Sequence, residues 1–148
     1  MSQALAPSLP APPDGAGDAL LEEVDPPPGG HALVIGRRTL ETLCGLIRRG
    51  CLRATELQPW DPGAPRPEEA QLAVLPDPAS LAEAEVAVAI ARRALCGGGR
   101  IAIRDTPGRL RRELAALLRT QGFVAIATRD TPQGALVLGE WPPRMARL

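Results

Sequence analysis

Short apolar runs alternate with amphipathic stretches along most of the chain, a pattern typical of α/β proteins. Glycine, proline or charged residues bound the runs, as expected for strands buried in a parallel sheet. Strands are predicted over residues 32–35, 51–57, 71–75, 101–103, 124–128 and 135–138. The stretch between the first two strands is long enough for a helical crossover, so this pair should be parallel.

The first helix is predicted directly after strand 32–35. Apolar side chains recur there at helical spacing and should face the core: Leu40, Leu43, Cys44 and Ile47. Thr39 is the expected N-cap, and Gly50 is placed to end the helix in the left-handed conformation. The resulting strand–helix–strand unit is the expected start of a doubly wound sheet.

Two further helices are marked by their capping residues. Ser80 and Glu83 form a capping box that opens the second helix, and the glycines at 97–99 are expected to stop it. Thr106–Pro107 predicts the start of the third helix, because proline suits the first helical position. Gly122–Phe123 predicts that this helix ends in a Schellman-type turn.

The last two predicted strands are separated only by residues 129–134. A connection this short cannot cross over a sheet, so these strands must pair antiparallel. The expected fold is a three-layer α/β/α domain. Its doubly wound, mostly parallel Rossmann-like sheet ends in a C-terminal antiparallel hairpin. We place this domain at residues 31–141.

The two ends of the chain have a different composition. Proline, alanine and glycine dominate residues 1–30, which predicts a flexible leader. One apolar patch, residues 18–24, is expected to form a short helix docked on the domain, with Asp18 as its N-cap. Residues 142–148 are expected to be a tail.

Charge and hydropathy narrow the classes of function. Lysine is absent, and 17 arginines cancel 17 acidic residues, so no net field attracts a nucleic-acid backbone or an anionic membrane surface. Neither a membrane span nor a signal peptide is predicted. We therefore expect a cytoplasmic protein that binds neither nucleic acid nor membranes.

Cysteine and histidine offer little metal or nucleophile chemistry. The three cysteines form no Cys-x-x-Cys pair and are expected to be reduced and buried. His31 is the only histidine, and one imidazole cannot make a typical zinc site, so we expect it at the surface or at a strand end. No metal is expected, and no catalytic residue can be assigned.

The order of these elements resembles the core of the class I S-adenosylmethionine-dependent methyltransferases. Two segments carry the resemblance: VAVAIARRALCGGGRIAIRD at 86–105, where a helix passes through glycines into a strand, and LAALLRTQGF at 114–123, a helix closed by Gly-Phe. With the closing hairpin, the resemblance covers about residues 31–139. It implies a methyltransferase-like fold and S-adenosylmethionine as the cofactor.

The resemblance also implies positions for cofactor contacts. Gly36 is similar to the first glycine of the family's cofactor loop, but Arg38 and Leu40 stand where further glycines would let the backbone approach the ligand. Val34 replaces the acidic residue that the family carries in the preceding strand. Glu56, at the end of the second strand, is similar to the residue that hydrogen-bonds the ribose hydroxyls, and is otherwise a solvated glutamate.

Other residues at the same sheet edge have two interpretations each. Asp77 lies where the family often holds acceptor-binding or adenine-proximal residues, and otherwise it caps the following helix. Arg37, Arg38 and Thr39 open the first helix, whose free N–H groups attract anions, so they form an alternative anion site. The segment 58–70 is too short for the helix and strand that the family inserts there, which implies that one wall of the adenine pocket is missing.

These residues are consistent with three functions. The first is a pseudoenzyme, a methyltransferase-like domain impaired in S-adenosylmethionine binding that acts as a non-catalytic interaction or regulatory protein, for example beside a paralogous methyltransferase. The second is an active S-adenosylmethionine-dependent methyltransferase that holds its cofactor through Gly36 and Glu56 in an atypical loop. The third is a small anion- or nucleotide-binding module.

Overall fold

The computed structural model describes residues 16–26, 28–60, 67 and 69–143. The helices in this part of the chain are α1 (Ala16–Val24), α2 (Leu40–Arg48), α3 (Leu81–Ala94) and α4 (Arg111–Thr120). The strands are β1 (His31–Ile35), β2 (Arg53–Leu57), β3 (Ala70–Pro76), β4 (Leu95–Asp105), β5 (Val124–Thr131) and β6 (Gly134–Glu140). Most of the predicted leader, residues 1–15, and the end of the predicted tail, residues 144–148, lie outside the described residues. None of the helices described is long and apolar enough to cross a bilayer.

The six strands form one sheet in the order β2-β1-β3-β4-β6-β5. β1 pairs parallel with β2 and β3, and β3 pairs parallel with β4. β6 runs antiparallel to both β4 and β5. The predicted doubly wound, mostly parallel sheet with a closing antiparallel hairpin is therefore confirmed. All six predicted strands are present, although β4 is much longer than the predicted 101–103.

Apolar layers cover both faces of the sheet. On one face, α3 and α4 pack over strand residues such as Leu33 and Ile103. On the other face, α1 and α2 pack over strand residues such as Val34 and Val74. Leu33 and Val34 enter different layers because successive side chains of a strand point to opposite faces. This alternation gives the three-layer α/β/α arrangement expected from the sequence.

Helix α1 is part of the core packing. Leu20 and Leu21 are 1% and 0% exposed and belong to the layer that α2 also covers. The prediction of a short docked helix is confirmed. The helix begins at Ala16, however, so Asp18 lies inside it and the expectation that Asp18 is the N-cap was wrong.

Helix α2 turns a different side to the core from the one predicted. Leu46 is fully buried, whereas Leu40 and Ile47 are 73% and 52% exposed. The predicted buried stripe was therefore wrong for Leu40, Cys44 and Ile47, whereas Leu43 does pack against the core. Gly45 explains the orientation, because a Cβ atom there would lie 2.5 Å from Leu21 Cδ1 of α1. Only the glycine side of α2 allows α1 to pack this closely.

Two of the predicted helix ends are confirmed. Ser80 Oγ accepts a hydrogen bond from Glu83 N at 3.1 Å, as a capping box requires. At the end of α4, Gly122 has φ +100° and Phe123 N donates to Leu118 O at 3.0 Å. This bond and the buried phenylalanine ring are those of a Schellman turn.

The triple glycine does not stop α3 as predicted. The helix already ends at Ala94, and residues 97–99 lie within β4. Gly98 N donates to Trp141 O at 2.8 Å, and Trp141 N donates to Gly99 O at 2.7 Å. These bonds to the segment after β6 hold the glycines within the strand at a bulge, where the register with β3 shifts and Gly98 has φ +85°. The strand therefore starts directly where the helix ends.

The predicted start of α4 was also wrong. Thr106–Pro107 forms a turn, and the helix begins at Arg111. Asp105, the last residue of β4, takes the role expected of Thr106, because its Oδ2 accepts a hydrogen bond from Leu110 N at 2.7 Å. A carboxylate near a helix start satisfies a free N–H group and opposes the positive end of the helix dipole.

The three cysteines are free thiols in different environments. Cys51 is buried, and this burial raises the pKa of its thiol. Cys44 is exposed on α2 and Cys96 is half-buried, so the expectation that all three are buried was wrong.

Substitutions on α2 test its orientation. Leu46→Ala should lower the free energy of unfolding by about 3 kcal/mol, because it leaves a cavity in the core. Ile47→Ala should change it by less than about 1 kcal/mol, because the side chain is mostly in water. Urea denaturation of both variants measures the two values. Equal losses would contradict the orientation described.

His31 lies at the amino end of β1, as expected for a strand-end histidine. Its Nε2 is 3.0 Å from Thr55 Oγ1, and its Nδ1 is 3.9 Å from Glu69 Oε1. Burial lowers the pKa of the imidazole, the charge of Arg53 lowers it further, and Glu69 partly opposes the shift. The folded protein therefore favours the neutral ring.

Stability should consequently fall below neutral pH. The contribution of neutral His31 is fully present above the unfolded-state pKa of 6.5 and is lost as the pH falls below it, because the unfolded chain then binds more protons. Urea denaturation between about pH 7.5 and about pH 5.5 measures this loss of the free energy of unfolding, which should be smaller in His31→Gln than in the parent. No other histidine exists to cause it. An unchanged slope in the variant would show that His31 is not responsible.

Candidate functional site

A cleft of about 750 Å³ opens at the carboxyl edge of the first four strands. The segment after β1 lines one side of it, and the ends of β2, β3 and β4 supply the remaining side chains. The chain leaves β1 for α2 on one face of the sheet and leaves β3 for α3 on the other. Such a switch between two neighbouring strands is where open α/β sheets bind ligands.

Every residue predicted for a site lies at this edge. The cleft is lined by Arg37, Arg38, Thr39, Glu56 and Asp77. Gly36 directly precedes this set at the end of β1. The fold therefore brings the predicted cofactor residues and the alternative anion-binding residues into one place.

Gly36 lies against the end of β3. A Cβ atom at this position would lie 3.4 Å from Pro76 Cδ and 3.5 Å from Pro76 O, which are ordinary van der Waals contacts. Its N–H donates to Leu57 O at 3.1 Å, which continues the β1–β2 pairing past the end of β1. The packing at this edge of the sheet therefore does not itself require glycine.

Thr39 is the N-cap residue of α2, as predicted, but its side chain binds Glu56. Its Oγ1 donates to Glu56 Oε2 at 2.5 Å, and the residue is only 3% exposed. The side chain makes no hydrogen bond to the start of the helix, so only the position of the cap is confirmed. Within the part of the chain described, Glu56 Oε1 has no hydrogen-bond partner. One carboxylate oxygen is left to accept a hydrogen bond from a ligand.

Arg37 is held across the edge of the sheet. Its Nη2 and Nε lie 3.0 and 3.1 Å from Glu83 Oε1 in the first turn of α3. Its guanidinium carbon also lies 4.7 Å from the centre of the Trp60 ring, in cation–π contact. Arg38 has no ion-pair partner among the residues that the structure describes. The two neighbouring arginines therefore differ, because only Arg38 has a charge without a carboxylate beside it.

Arg104 is the most buried charged residue of the cleft, at 8% exposure. Its Nε donates to Asp77 Oδ2 at 2.9 Å. The Nη1 atom is buried and has no hydrogen-bond partner among the described residues. Arg104 was not predicted from the sequence, although an arginine closing the apolar run 101–103 at the carboxyl end of a parallel strand was a usable signal.

Asp77 links β3 to the end of β4. Besides binding Arg104, its Oδ1 accepts a hydrogen bond from Thr106 N at 2.7 Å, and its own N–H donates to Arg104 O at 2.8 Å. Ser80 is the residue that caps α3, so the interpretation of Asp77 as a helix cap was wrong. Its backbone has φ +54°, a conformation that aspartate and asparagine tolerate better than most residues.

Comparisons with known proteins were made at the levels of sequence and structure. No protein-family model matches the chain, and no curated protein matches it. A SAM-dependent O-methyltransferase from Thermotoga maritima matches in structure with TM-score 0.66 and 13% identity, over 94% of this chain and 68% of that one. A 16S rRNA N2 methyltransferase from T. thermophilus, solved in complex with AdoMet and guanosine, matches with TM-score 0.68 and 19% identity, over 88% of this chain and 40% of that one.

A TehB-like SAM-dependent methyltransferase from Corynebacterium glutamicum matches with TM-score 0.66 and 17% identity, over 87% of this chain and 89% of that one. The chain thus spans less than half of the T. thermophilus protein and most of the Corynebacterium one. At these identities the likeness is one of fold. The resemblance expected from the sequence is confirmed at that level.

Proposed function

Starting from a class I methyltransferase-like fold, we propose that this domain is a cytoplasmic pseudoenzyme. It binds S-adenosylmethionine poorly and acts through contacts with a protein partner, such as a paralogous methyltransferase. The observation that carries this proposal is the loop after β1, where Arg37 is tied to Glu83 and Trp60 at the place where a cofactor would approach the backbone.

Side chains obstruct that approach. Glycines let a backbone come close to a ligand because no Cβ stands between them, and this loop has Arg37, Arg38 and Leu40 after its single glycine. A surface ion pair such as Arg37–Glu83 contributes only about 0–1 kcal/mol, so it alone would be a weak barrier. The Cβ atoms cannot move aside in the same way. Poor binding of the cofactor therefore follows mainly from the presence of Cβ atoms at these positions of the loop.

The remaining cofactor contacts are reduced as well. β2 is the outermost strand of the described sheet, with no strand of the described residues beyond it. This supports the expectation that a wall of the adenine pocket is missing, and ligand pockets gain much of their affinity from such apolar walls. Thr39 already occupies one oxygen of Glu56. A ribose could therefore use only half of the carboxylate that the family's acidic residue offers.

Exposed apolar side chains on α2 support the partner role. Cys44 and Ile47 face solvent, as does Leu40 one turn earlier, although their spacing is that of a buried stripe. We call these three residues the outer face of α2. An apolar stripe on an exposed helix is a common docking element for protein partners.

Calorimetric titration with S-adenosylmethionine and S-adenosylhomocysteine tests the cofactor part of the proposal. The expected result is a dissociation constant weaker than about 1 mM for both compounds. Micromolar binding that is lost in Glu56→Ala and kept in Glu85→Ala would overturn the proposal in favour of an active methyltransferase. Glu85 is a suitable control because it is an exposed glutamate on α3 outside the cleft.

A charge on the outer face of α2 tests the partner part. The double variant Cys44→Glu, Ile47→Glu should fold normally, because both side chains are exposed. The partner is first identified as the protein that co-purifies with the parent chain. In pull-downs with purified proteins, the double variant should then fail to retain this partner. Val86→Glu, at an exposed valine on α3, is the matched control and should retain it. A parent chain isolated alone, or equal retention by all variants, would contradict the proposal.

A further inference from the structure

We propose that the cleft contains an anion-binding subsite centred on Arg104, which takes the carboxylate or phosphate group of a small ligand. This inference does not depend on whether S-adenosylmethionine binds, because it concerns the end of the cleft formed by β3 and β4. It differs from the anion site expected from the sequence, which used Arg37, Arg38 and Thr39.

Arg104 has unmet hydrogen-bonding capacity. The residue is 8% exposed, and its Nη1 has no acceptor among the described residues. A buried donor without a partner costs about 1–3 kcal/mol, and more when the group is charged. Native structures rarely keep such a group unless something binds it. An anionic oxygen would supply the acceptor, and the guanidinium has already lost its water.

Asp77 holds the guanidinium by one side only. One carboxylate oxygen accepts from Arg104 Nε and the other accepts from Thr106 N. Neither Nη atom of Arg104 therefore binds Asp77. The free edge of a guanidinium is a planar fork that matches the two oxygens of a carboxylate or phosphate. The remaining exposed surface of the Arg104 side chain, 10%, lines the cleft. Asp77 therefore leaves both Nη atoms available to a ligand.

Apart from Asp77, which binds Arg104 directly, the charged residues at the ends of β1 and β2 lie far from Arg104. Arg38 follows β1, two strands away from β4 or about 10 Å at the usual strand spacing, so its charge adds little at Arg104. Glu56 lies on β2, three strands away from β4, which is about 14 Å at the usual strand spacing. This exceeds the screening length of about 8 Å at physiological salt, so Glu56 does not repel an anion at Arg104.

Calorimetric titration with inorganic phosphate and, separately, with succinate at constant ionic strength tests the subsite. The parent should bind one of them with a dissociation constant of about 1 mM, and the better ligand identifies the preferred group. Arg104→Gln should weaken this binding at least about tenfold. Arg112→Gln, at an exposed arginine of α4 outside the cleft, should leave it unchanged.

Asp77→Asn should change the affinity for the anion in the direction opposite to Arg104→Gln. Asparagine keeps one acceptor and tolerates φ +54°, so the variant should fold, and loss of the competing carboxylate should tighten anion binding about threefold. A merely structural role for the pair predicts weaker binding.

The proposal is overturned if the parent binds neither anion up to about 20 mM, or if Arg104→Gln and Arg112→Gln reduce affinity equally. It is also overturned if Asp77→Asn weakens binding, and this outcome decides the matter if Arg104→Gln does not fold. Because S-adenosylmethionine is absent from these titrations, their failure is distinct from failure of the proposed function.

Discussion

The cleft exists because the chain changes direction between β1 and β3. From β1 it continues to α2 on one face of the sheet, and from β3 to α3 on the other, so neither helix covers the carboxyl ends of these strands. Gly36, at the end of β1, lies against Pro76 at the end of β3. Side chains from four strands then converge on one edge. Their chemistry depends on that convergence more than on any short motif.

At that edge the charged groups mostly bind one another. Arg37 binds Glu83, Asp77 binds Arg104, and Thr39 takes one oxygen of Glu56. These contacts leave few groups at the edge free to bind a ligand. Those that remain are one oxygen of Glu56, the guanidinium of Arg38 and the fork of Arg104. A domain built this way suits a small anion better than a large cofactor that needs close backbone contact.

Local signals predicted most of the fold. The apolar strand runs, the Ser80–Glu83 cap and the Gly122–Phe123 turn depend on neighbours in sequence, and the structure contains them all. The failures involve distant partners. Gly45 faces inward because Leu21 of α1 packs on it, and residues 97–99 belong to β4 because Trp141 binds them. Spacing and composition carry no record of such contacts.

The site residues show the same contrast between local signals, which could be predicted, and distant contacts, which could not. Glu56 and Asp77 could be placed because Glu56 lies near the end of β2 and Asp77 directly follows β3, and the carboxyl ends of parallel strands meet at one edge of the sheet. Arg104 was missed because its burial depends on Asp77, 27 residues away. The ion pair of Arg37 likewise depends on Glu83, 46 residues away.

The central claim is that this carboxyl edge is where the domain binds a ligand, and amide chemical shifts during a phosphate titration test it most directly. The largest shifts should fall on the amides of residues 36–43, 77 and 104–106. Shifts concentrated on the exposed arginines of α3 and α4, with none at those positions, would contradict the account.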